Sequence, residues 1–505
     1  MKKIMIIAFV LAFTGLSYAQ TEQDAVKYAE TITEDELYDK LSILASDAME
    51  GRETGERGQK MAAAFISDHF QRLGLKAPVK SGTENSYYQP VFLYSAVPGD
   101  TYIIAGEEKH KNFDKIIYYG SSSSGAVKET EVLFAGKGSE QDFAQLDVKD
   151  KAVIVMVDNP RAWKAPHDLA LEKGASLTLI VSHKDDAKFT EYGQLFKGFL
   201  EGGRLSLEKP DMGGSDPGVF FIAPSVAAQI LDVKKQRLQD AMEKGNLKKI
   251  KKGTFKYHME QKIKEVESEN VLGYMEGSDL KDELVVITAH YDHIGKNGEQ
   301  INNGADDDGS GTSAVLEIAE AFVQAKADGK GPRRSILFMT VTGEEKGLLG
   351  SAYYTSNPIF PLEKTVVDLN IDMIGRIDHK HKENPEYVYL VGSDRLSTEL
   401  HEISEKVNET YTKLELDYTY NDEDHPDRIY YRSDHWNFAK NNIPIIFYFN
   451  GVHDDYHQPT DTIDKIAFDM LMERTKLVYH TAWVLANRDQ KPVVDKPQSQ
   501  NLGNN

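Results

Sequence analysis

The feature that most constrains the fold is an alternation of short apolar runs and amphipathic helical patterns that begins at Glu283. The apolar runs have the length and composition of buried strands and lie at Leu284–Thr288, Ser335–Val341, Thr365–Ile371, Tyr387–Val391 and Ile443–Phe449. Helical spacing of apolar residues occurs at Ser313–Ala325, Ser397–Thr410 and Asp464–Ala486. This alternation predicts an α/β fold, with a mostly parallel twisted sheet and helices on both of its faces.

Polar residues lie just beyond four of these strands. They occupy His290–His293, Thr342–Gly347, Asp372 and Asp454–His457, and the acidic segment 302–311 precedes the predicted helix at Ser313. Because ligands of open α/β sheets gather at the carboxyl ends of the strands, we expect these side chains to converge on one rim. The chain has no cysteine. Imidazole and carboxylate without thiolate suit Zn²⁺ or a related catalytic metal.

The remaining segments suggest a chain of several parts. Residues 1–19 have the pattern of a signal peptide, with two lysines, an apolar run and the small-x-small site Ser17–Ala19. Residues 20–125 are assigned to the N-terminal part of the main domain, with helical spacing over Thr33–Leu75. Residues 126–240 form a separate block of short strands that we predict to be a smaller, β-rich α/β insertion. Residues 241–488 complete the main domain, and the polar tail 489–505 is predicted to be disordered.

The charge of the chain excludes several classes of partner. The formal net charge is −21, and removing residues 1–19 takes away two lysines and no acids, which gives −23. Such a chain repels nucleic acid and anionic lipid, so neither is expected as a partner. No later apolar run is long enough to span a membrane, so no membrane anchor is expected. The signal peptide instead predicts export to the periplasm or the extracellular space.

Six ordered motifs resemble the co-catalytic zinc aminopeptidases of metallopeptidase family 28. They are HYDH at 290–293, NNGADDDGSG at 302–311, TGEEKGLLGS at 342–351, NIDMIGR at 370–376, YRSDHW at 431–436 and YHQPTDT at 456–462. The resemblance covers roughly residues 255–490 and the helical entry at 33–75. The segment FAGKGSEQDFAQLDVKDKAVIV at 134–155 is similar, less specifically, to a protease-associated domain, which members of this family often carry as an insertion.

The resemblance implies two zinc ions per chain. His290 and Asp372 would bind one ion, Glu345 and His457 would bind the other, and Asp307 would bridge them. Two metals about 3.5–4 Å apart can polarise a peptide carbonyl and activate water.

The resemblance and the chemistry also imply roles for three residues that do not bind metal. Asp292 would accept a hydrogen bond from the far nitrogen of His290 and fix its tautomer. Glu344 would be the general base. Tyr456 could donate a hydrogen bond to the tetrahedral oxyanion. Four residues near these motifs have no assigned role, two of them basic side chains that could meet substrate or form surface ion pairs: Arg376, Arg432, Ser433 and Asp434.

The activity implied is that of a secreted exopeptidase that removes N-terminal residues from peptides, using a metal-activated water. Three alternatives are a glutaminyl cyclase-like zinc enzyme, a carboxypeptidase of the same fold, and a non-catalytic receptor-like ectodomain. The acidic run Asp306–Asp308 favours the peptidase over the cyclase. The complete set of ligands and base argues against the receptor. The sequence does not separate an aminopeptidase from a carboxypeptidase.

Other histidines compete with the proposed ligands. His379 and His381 lie in a charged run and are predicted to be solvated. Three more are ambiguous from the sequence: His293, His425 and His453. Of these, His453 is the nearest rival ligand, because it lies four residues before His457.

Two structural expectations complete the prediction. The block at 126–240 is expected to pack beside the metal rim and narrow access to it, because an exopeptidase must exclude the middle of a chain. By the resemblance, a cis peptide bond is expected between Asp307 and Asp308.

Overall fold

The computed structural model describes residues 22–183, 185–211, 216–243, 249–422 and 424–496. The predicted signal peptide at 1–19 and residues 497–505 of the predicted tail lie outside the described residues. Contacts divide the chain into two compact units. The first unit contains the residues up to Phe92 and from Glu267 onward, and the second unit is Leu93–Val266.

The second unit extends beyond the block predicted at 126–240. Strands on either side of that block, at Tyr102–Ala105, Ile116–Tyr119 and Gly253–His258, hydrogen-bond into its sheet. Periodicity indicates that a segment is a strand but not which sheet it joins. The boundaries predicted at 126 and 240 therefore differ from those of the folded unit.

The strands are numbered in chain order. They are β1 Val79–Ser81, β2 Glu84–Ser86, β3 Tyr88–Pro98, β4 Tyr102–Ala105, β5 Glu108–Lys111, β6 Ile116–Tyr119, β7 Lys128–Phe134, β8 Ala152–Met156, β9 Leu177–Val181, β10 Val219–Ile222, β11 Gly253–His258, β12 Gln261–Met275, β13 Leu280–His290, β14 Lys296–Asn297, β15 Gln300–Ile301, β16 Arg334–Val341, β17 Thr365–Ile371, β18 Tyr387–Val391, β19 Glu415–Asp417 and β20 Ile445–Phe449.

The helices follow the same convention. They are α1 over 22–29, α2 Glu34–Leu44, α3 Arg57–Arg72, α4 Glu140–Phe143, α5 Lys164–Glu172, α6 Asp186–Gly202, α7 Pro224–Ile230, α8 Lys235–Glu243, α9 Gly311–Ala327, α10 Leu349–Ser356, α11 Thr398–Tyr411, α12 His435–Ala439 and α13 Phe468–Asn487. No helix among the described residues has the length and apolar content needed to cross a membrane.

The first unit is built on a sheet with strand order β19-β18-β20-β17-β13-β16-β12-β3. Its four central strands, β20, β17, β13 and β16, run parallel. Antiparallel pairing adds β18 on one side and β12 on the other. The sheet is therefore mixed, with a parallel centre, and the five predicted strands are β13, β16, β17, β18 and β20.

Alternate residues of the central strands enter two separate hydrophobic cores, one on each face of the sheet. In β13, Val285 and Ile287 belong to the core that contains the buried faces of α9 and α13. Leu284 and Val286 belong to the core on the opposite face, with side chains of α10 and α12. This arrangement, with a period of two along a strand, confirms the predicted α/β fold with helices on both faces.

The parallel centre explains why the polar segments meet. Because β13, β16, β17 and β20 run in one direction, their carboxyl ends lie on one rim of the sheet. His290 is the last residue of β13, and Asp372 follows β17 directly. The loop after β16 carries Glu344 and Glu345.

The second unit has a sheet and cores of its own. Its strand order is β5-β4-β11-β7-β8-β9-β10-β6, with a parallel run from β7 to β10. Two hydrophobic clusters cover this sheet, one around Phe220 and Ile222 and the other around Val153 and Val155. The unit is thus an α/β fold built on a sheet of eight strands. Its likeness to a protease-associated domain stays a prediction.

Candidate metal centre

Three carboxylate and imidazole side chains form a buried cluster at the rim, which we call the first cluster. Nε2 of His290 lies 3.2 Å from Oδ1 of Asp307 and 3.6 Å from Oδ1 of Asp372. Their donor atoms all lie within 4.8 Å of one another. The sequence-predicted ligands of one metal are therefore within coordinating distance of a common point.

A second group of donors, the second cluster, adjoins the first and uses the other oxygen of Asp307. Nε2 of His457 lies 3.1 Å from both Oδ2 of Asp307 and Oε2 of Glu345. On another side, Nδ1 of His293 lies 2.8 Å from Oε1 of Glu345. Asp307 thus presents one oxygen to each cluster, which is the arrangement of a bridging carboxylate.

Hydrogen bonds within the protein do not satisfy all of the donor atoms, and a metal ion would. Oδ2 of Asp307 and Oε1 of Glu345 are buried and have no hydrogen-bond partner among the described residues. Such orphaned polar atoms are costly unless a ligand satisfies them. Nitrogen and oxygen donors at this spacing match the preferences of Zn²⁺.

The pKa values show how strongly the clusters attract positive charge. Burial opposes the effect, but the carboxylates of Asp307 and Glu345 raise the pKa of His457 from 6.5 to about 10. Burial would also raise the pKa of Glu345, yet the imidazoles of His293 and His457 lower it to about 2. The same imidazole effect, from His290 and His457, holds the pKa of Asp307 well below its usual range. A cation is therefore favoured here.

The turn that carries Asp307 contains the cis peptide bond expected from the resemblance, between Asp307 and Asp308. Asp308 does not enter either cluster. Its carboxylate accepts backbone hydrogen bonds from His290 at 3.2 Å, Gly311 at 2.8 Å and Met373 at 3.1 Å. It therefore ties the end of β13 to the start of α9 and to the segment after β17.

Two further residues without a predicted role organise the site, and one of them, Asp461, lies in the YHQPTDT motif. The buried guanidinium of Arg52 donates to the backbone carbonyls of Tyr291 and Gly304, at 2.9 Å each. Oδ2 of Asp461 accepts from the backbone N–H of Asp307 at 3.2 Å. Both act on backbone groups that are distant in sequence, and no local pattern reveals such contacts.

Asp292 contacts His290 through its backbone rather than through its side chain, which corrects the predicted interaction. Nδ1 of His290 lies 3.0 Å from the carbonyl oxygen of Asp292 but 3.9 Å from its carboxylate. The carboxylate instead accepts from the Thr54 hydroxyl at 2.7 Å and from the backbone N–H of Glu344 at 3.2 Å. It thus fixes the loop that carries both glutamates.

Glu344 lies beside the first cluster without belonging to either cluster. Its Oε2 is 3.9 Å from Nε2 of His290. Gly343, with φ of +67°, begins the loop, and the two neighbouring glutamates diverge from it. Burial raises the pKa of Glu344 well above its usual range. A carboxyl group with a raised pKa next to a metal site suits proton transfer.

A pocket opens beside the clusters. Asp307, Glu344 and Asp372 line it together with an apolar wall and two polar side chains. The apolar wall consists of Met373, Ile429, Phe447, Phe449 and Val452. The polar pair is Arg432 and Tyr456, in which Arg432 donates to the Tyr456 hydroxyl at 3.4 Å. The ring of Tyr456 also stacks on that of His457, with centroids 3.9 Å apart.

The other residues with open roles make structural contacts. Arg376 pairs with Asp455 at 2.7 Å. Asn370 donates to the Ser433 hydroxyl at 2.9 Å, and the Ser351 hydroxyl donates to Asp434. Burial raises the pKa of Asp434 to about 7.

Four other histidines considered from the sequence lie outside both clusters. His453, the rival ligand, meets Asp306 at 3.1 Å and belongs to neither cluster. His379 is exposed, as predicted, and His425 is partly exposed. The prediction that His381 is solvated is wrong, because its ring is buried between Asp378 and Asp417 and stacks on Tyr387. The charged sequence around His381 does not indicate its burial, because the burial comes from packing against strands outside that segment.

The chain is similar to known peptidases over much of its length. Residues 270–482 match the family model described as Peptidase family M28. Aminopeptidase YwaD of Bacillus subtilis is 28% identical over 239 residues, which are 46% of this chain and 48% of that protein. The chain spans about half the length of the curated relatives it matches.

Two solved structures share the fold. An aminopeptidase from Aneurinibacillus sp. strain AM-1 is similar with a TM-score of 0.54 and 20% identity, over 93% of this chain and 98% of that chain. A zinc aminopeptidase from Bacillus subtilis is similar with a TM-score of 0.50 and 19% identity, over 92% and 99%. At this identity the likeness supports the architecture.

Proposed function

Because residues 270–482 match the model of Peptidase family M28, we propose that the protein is a zinc-dependent aminopeptidase of this family acting on the N-termini of peptides and proteins. The observation that carries the proposal is the pair of buried donor clusters that share Asp307 beside an open pocket. His290 and Asp372 would hold one zinc ion, and Glu345 and His457 the other. Such a site is built for hydrolysis rather than for binding alone.

The chain's own residues divide the work of hydrolysis. Two bound zinc ions would polarise the scissile carbonyl and lower the pKa of a water molecule. Glu344 accepts the proton of the attacking water and delivers it to the leaving amine nitrogen. Its raised pKa supports this role, because a carboxylate with an ordinary pKa is a weaker base near neutral pH.

Tyr456 is positioned to stabilise the oxyanion that forms during attack. Because Arg432 donates to the tyrosine oxygen, the hydrogen of the Tyr456 hydroxyl remains available for the substrate. Burial raises the pKa of Tyr456, so the hydroxyl stays protonated over the physiological range. The carboxylate of Asp292 keeps the Glu344 backbone in place.

The apolar wall of the pocket supports a preference for large apolar N-terminal residues. Phe447, Phe449 and Met373 line it together with smaller aliphatic side chains. An apolar pocket gains about 25 cal/mol for each Å² of side chain it removes from water. The charged side chain of an N-terminal lysine or glutamate would lose hydration against this apolar wall.

The cellular setting is also part of the proposal. The pattern at 1–19 supports export to the periplasm or beyond, where peptides are the partners. We further propose that the second unit is a protease-associated-like insertion that narrows access to the site. These statements rest on the sequence.

The decisive experiment is hydrolysis of free and N-blocked dipeptides, with glutaminyl dipeptides among them and bound zinc counted in parallel. Turnover that requires a free amine, with two zinc ions per chain, is the expected result. Cleavage of N-blocked peptides from the C-terminus would identify a carboxypeptidase instead. Formation of pyroglutamate would identify a cyclase, and intact metal without turnover would identify a binding domain.

A further inference from the structure

We infer that His293 is an additional zinc ligand, completing the second cluster with a fourth protein donor. The inference deepens the proposed function and rests on the two-metal site proposed there. It concerns the last residue of the HYDH motif, which the assigned ligand pairs do not include.

The position of the His293 ring is that of a donor in the second cluster. Nδ1 lies 2.8 Å from Oε1 of Glu345 and 3.7 Å from Oδ2 of Asp307. The three atoms lie within 4.8 Å of one another. The His293 ring meets that of His457 edge-on, with centroids 5.8 Å apart. Both imidazoles therefore approach the same two carboxylates.

Hydrogen bonding does not explain this approach. Neither ring nitrogen of His293 has a hydrogen-bond partner in the part of the chain that the structure describes, and the side chain is 0% exposed. Oε1 of Glu345 and Oδ2 of Asp307 are unpaired in the same way. The ring nitrogen and the carboxylate oxygen therefore lie 2.8 Å apart without the geometry of a hydrogen bond between them. Two ligands of one metal ion have this relation.

The backbone around His293 holds the ring in this place. Its N–H donates to the carbonyl of Arg52 at 3.1 Å. The ring rests on Gly304, where an added Cβ would come within 2.6 Å of Cγ and Cδ2 of the imidazole. The ring therefore occupies space that is free only because Gly304 has no side chain. Rigid support of this kind is what a metal ligand requires.

A fourth donor makes the two sites unequal. The first cluster offers three protein ligands, whereas His293 would give the second cluster four, with Asp307 counted in both. Zinc sites with four protein ligands are closed, and sites with three keep a position open. We therefore expect the zinc ion of the second cluster to be released last when a chelator is added.

The test is X-ray absorption spectroscopy of the zinc-loaded full chain, combined with chelator titration. Wild type should show three imidazoles per two zinc ions, and His293→Phe should show two. Phenylalanine keeps a ring on Gly304 and removes both nitrogens. We expect this variant to lower the affinity for one zinc ion by at least about 100-fold. Even residues that only hydrogen-bond to a ligand contribute about 10–100-fold to metal affinity.

His480→Gln is the control. It removes a buried imidazole of α13 that stacks on Tyr411 of α11 and belongs to neither cluster. It should leave both zinc affinities unchanged. Two imidazoles per two zinc ions in wild type, or unchanged zinc affinity in His293→Phe, would overturn the inference. If His293→Phe does not fold, the wild-type count still decides. Loss of peptide turnover with three imidazoles present would count against the proposed function alone.

Discussion

The proposed function gives different tasks to two adjacent glutamates at the rim, whose side chains diverge from one loop. Oε2 of Glu345 lies 3.1 Å from His457, inside the second cluster. Glu344 stays outside both clusters, with its backbone fixed by Asp292. The proposed division into ligand and base therefore follows from loop geometry rather than from residue type. It can be tested by changing each carboxylate alone.

Glu344→Gln should fold and bind both zinc ions, but its turnover should fall about 10²–10⁴-fold because the amide cannot accept the proton. Glu345→Gln is the matched comparison and should lose zinc as well as activity. Kinetics with a free-amine dipeptide and zinc counting on the same samples separate the two effects. Near wild-type turnover by Glu344→Gln would move the general base elsewhere.

The raised pKa of His457 gives the metal-free protein a distinct dependence on pH. The folded-state pKa, about 10, exceeds the ordinary value of 6.5. Protonated His457 therefore stabilises the metal-free fold fully below pH 6.5, and this stabilisation is lost as pH rises through about 10. Zinc needs the neutral ring, so zinc affinity should rise across the same window.

Thermal unfolding of metal-free and zinc-loaded protein between pH 6.5 and about 10 measures this effect. The gap between the two melting temperatures should widen as pH rises. In His457→Gln the contribution of this residue is absent, so the metal-free protein should lose less stability over the window. An equal loss in wild type and His457→Gln would contradict the assignment.

At the scale of elements, Asp308 connects three segments that the sequence separates. Its carboxylate accepts from the end of β13, the start of α9 and the residue after Asp372. Asp308→Ala would leave three buried N–H groups without this acceptor. At about 1–3 kcal/mol for each unsatisfied group, a loss of at least about 3 kcal/mol is expected.

Chemical denaturation of Asp308→Ala, of Asp308→Asn and of a surface control measures this loss. Asparagine keeps one acceptor oxygen and should destabilise less. The control is Asp279→Ala, which breaks an exposed pair with Arg333 and should cost under about 1 kcal/mol. Equal effects of Asp308→Ala and Asp279→Ala would show that Asp308 does not connect the segments.

The elements themselves could be predicted because their signals are local. Period and composition identified β13, β16, β17 and α9, and the rule for strand ends predicted the rim. Contacts between distant residues could not be predicted in this way. Arg52 reaches Tyr291 across 239 positions, and distant strands cover His381. The contact between Asp292 and His290 was mispredicted for the same reason. The carboxylate of Asp292 accepts a hydrogen bond from Thr54, which is distant in sequence, and only its backbone carbonyl meets His290.

The whole molecule consists of two units, each with its own sheet and its own hydrophobic clusters. The donor atoms of the first and second clusters belong to the first unit. The predicted narrowing of the site by the second unit stays a prediction. Comparing turnover of a dipeptide, a decapeptide and a folded protein with the same N-terminal residue tests it, and equal rates for all three would contradict it.

Because a ligand stabilises only the unit that binds it, zinc should act on one of two unfolding transitions. Separate cores favour separate transitions in calorimetry. Zinc at about 1,000 times its Kd adds about 4 kcal/mol to the first unit and should raise that transition by several degrees. The second transition should not move, and His290→Ala, which removes a ligand of the first cluster, should reduce the shift. Equal shifts of both transitions, or a single transition with and without zinc, would show that the two units unfold together.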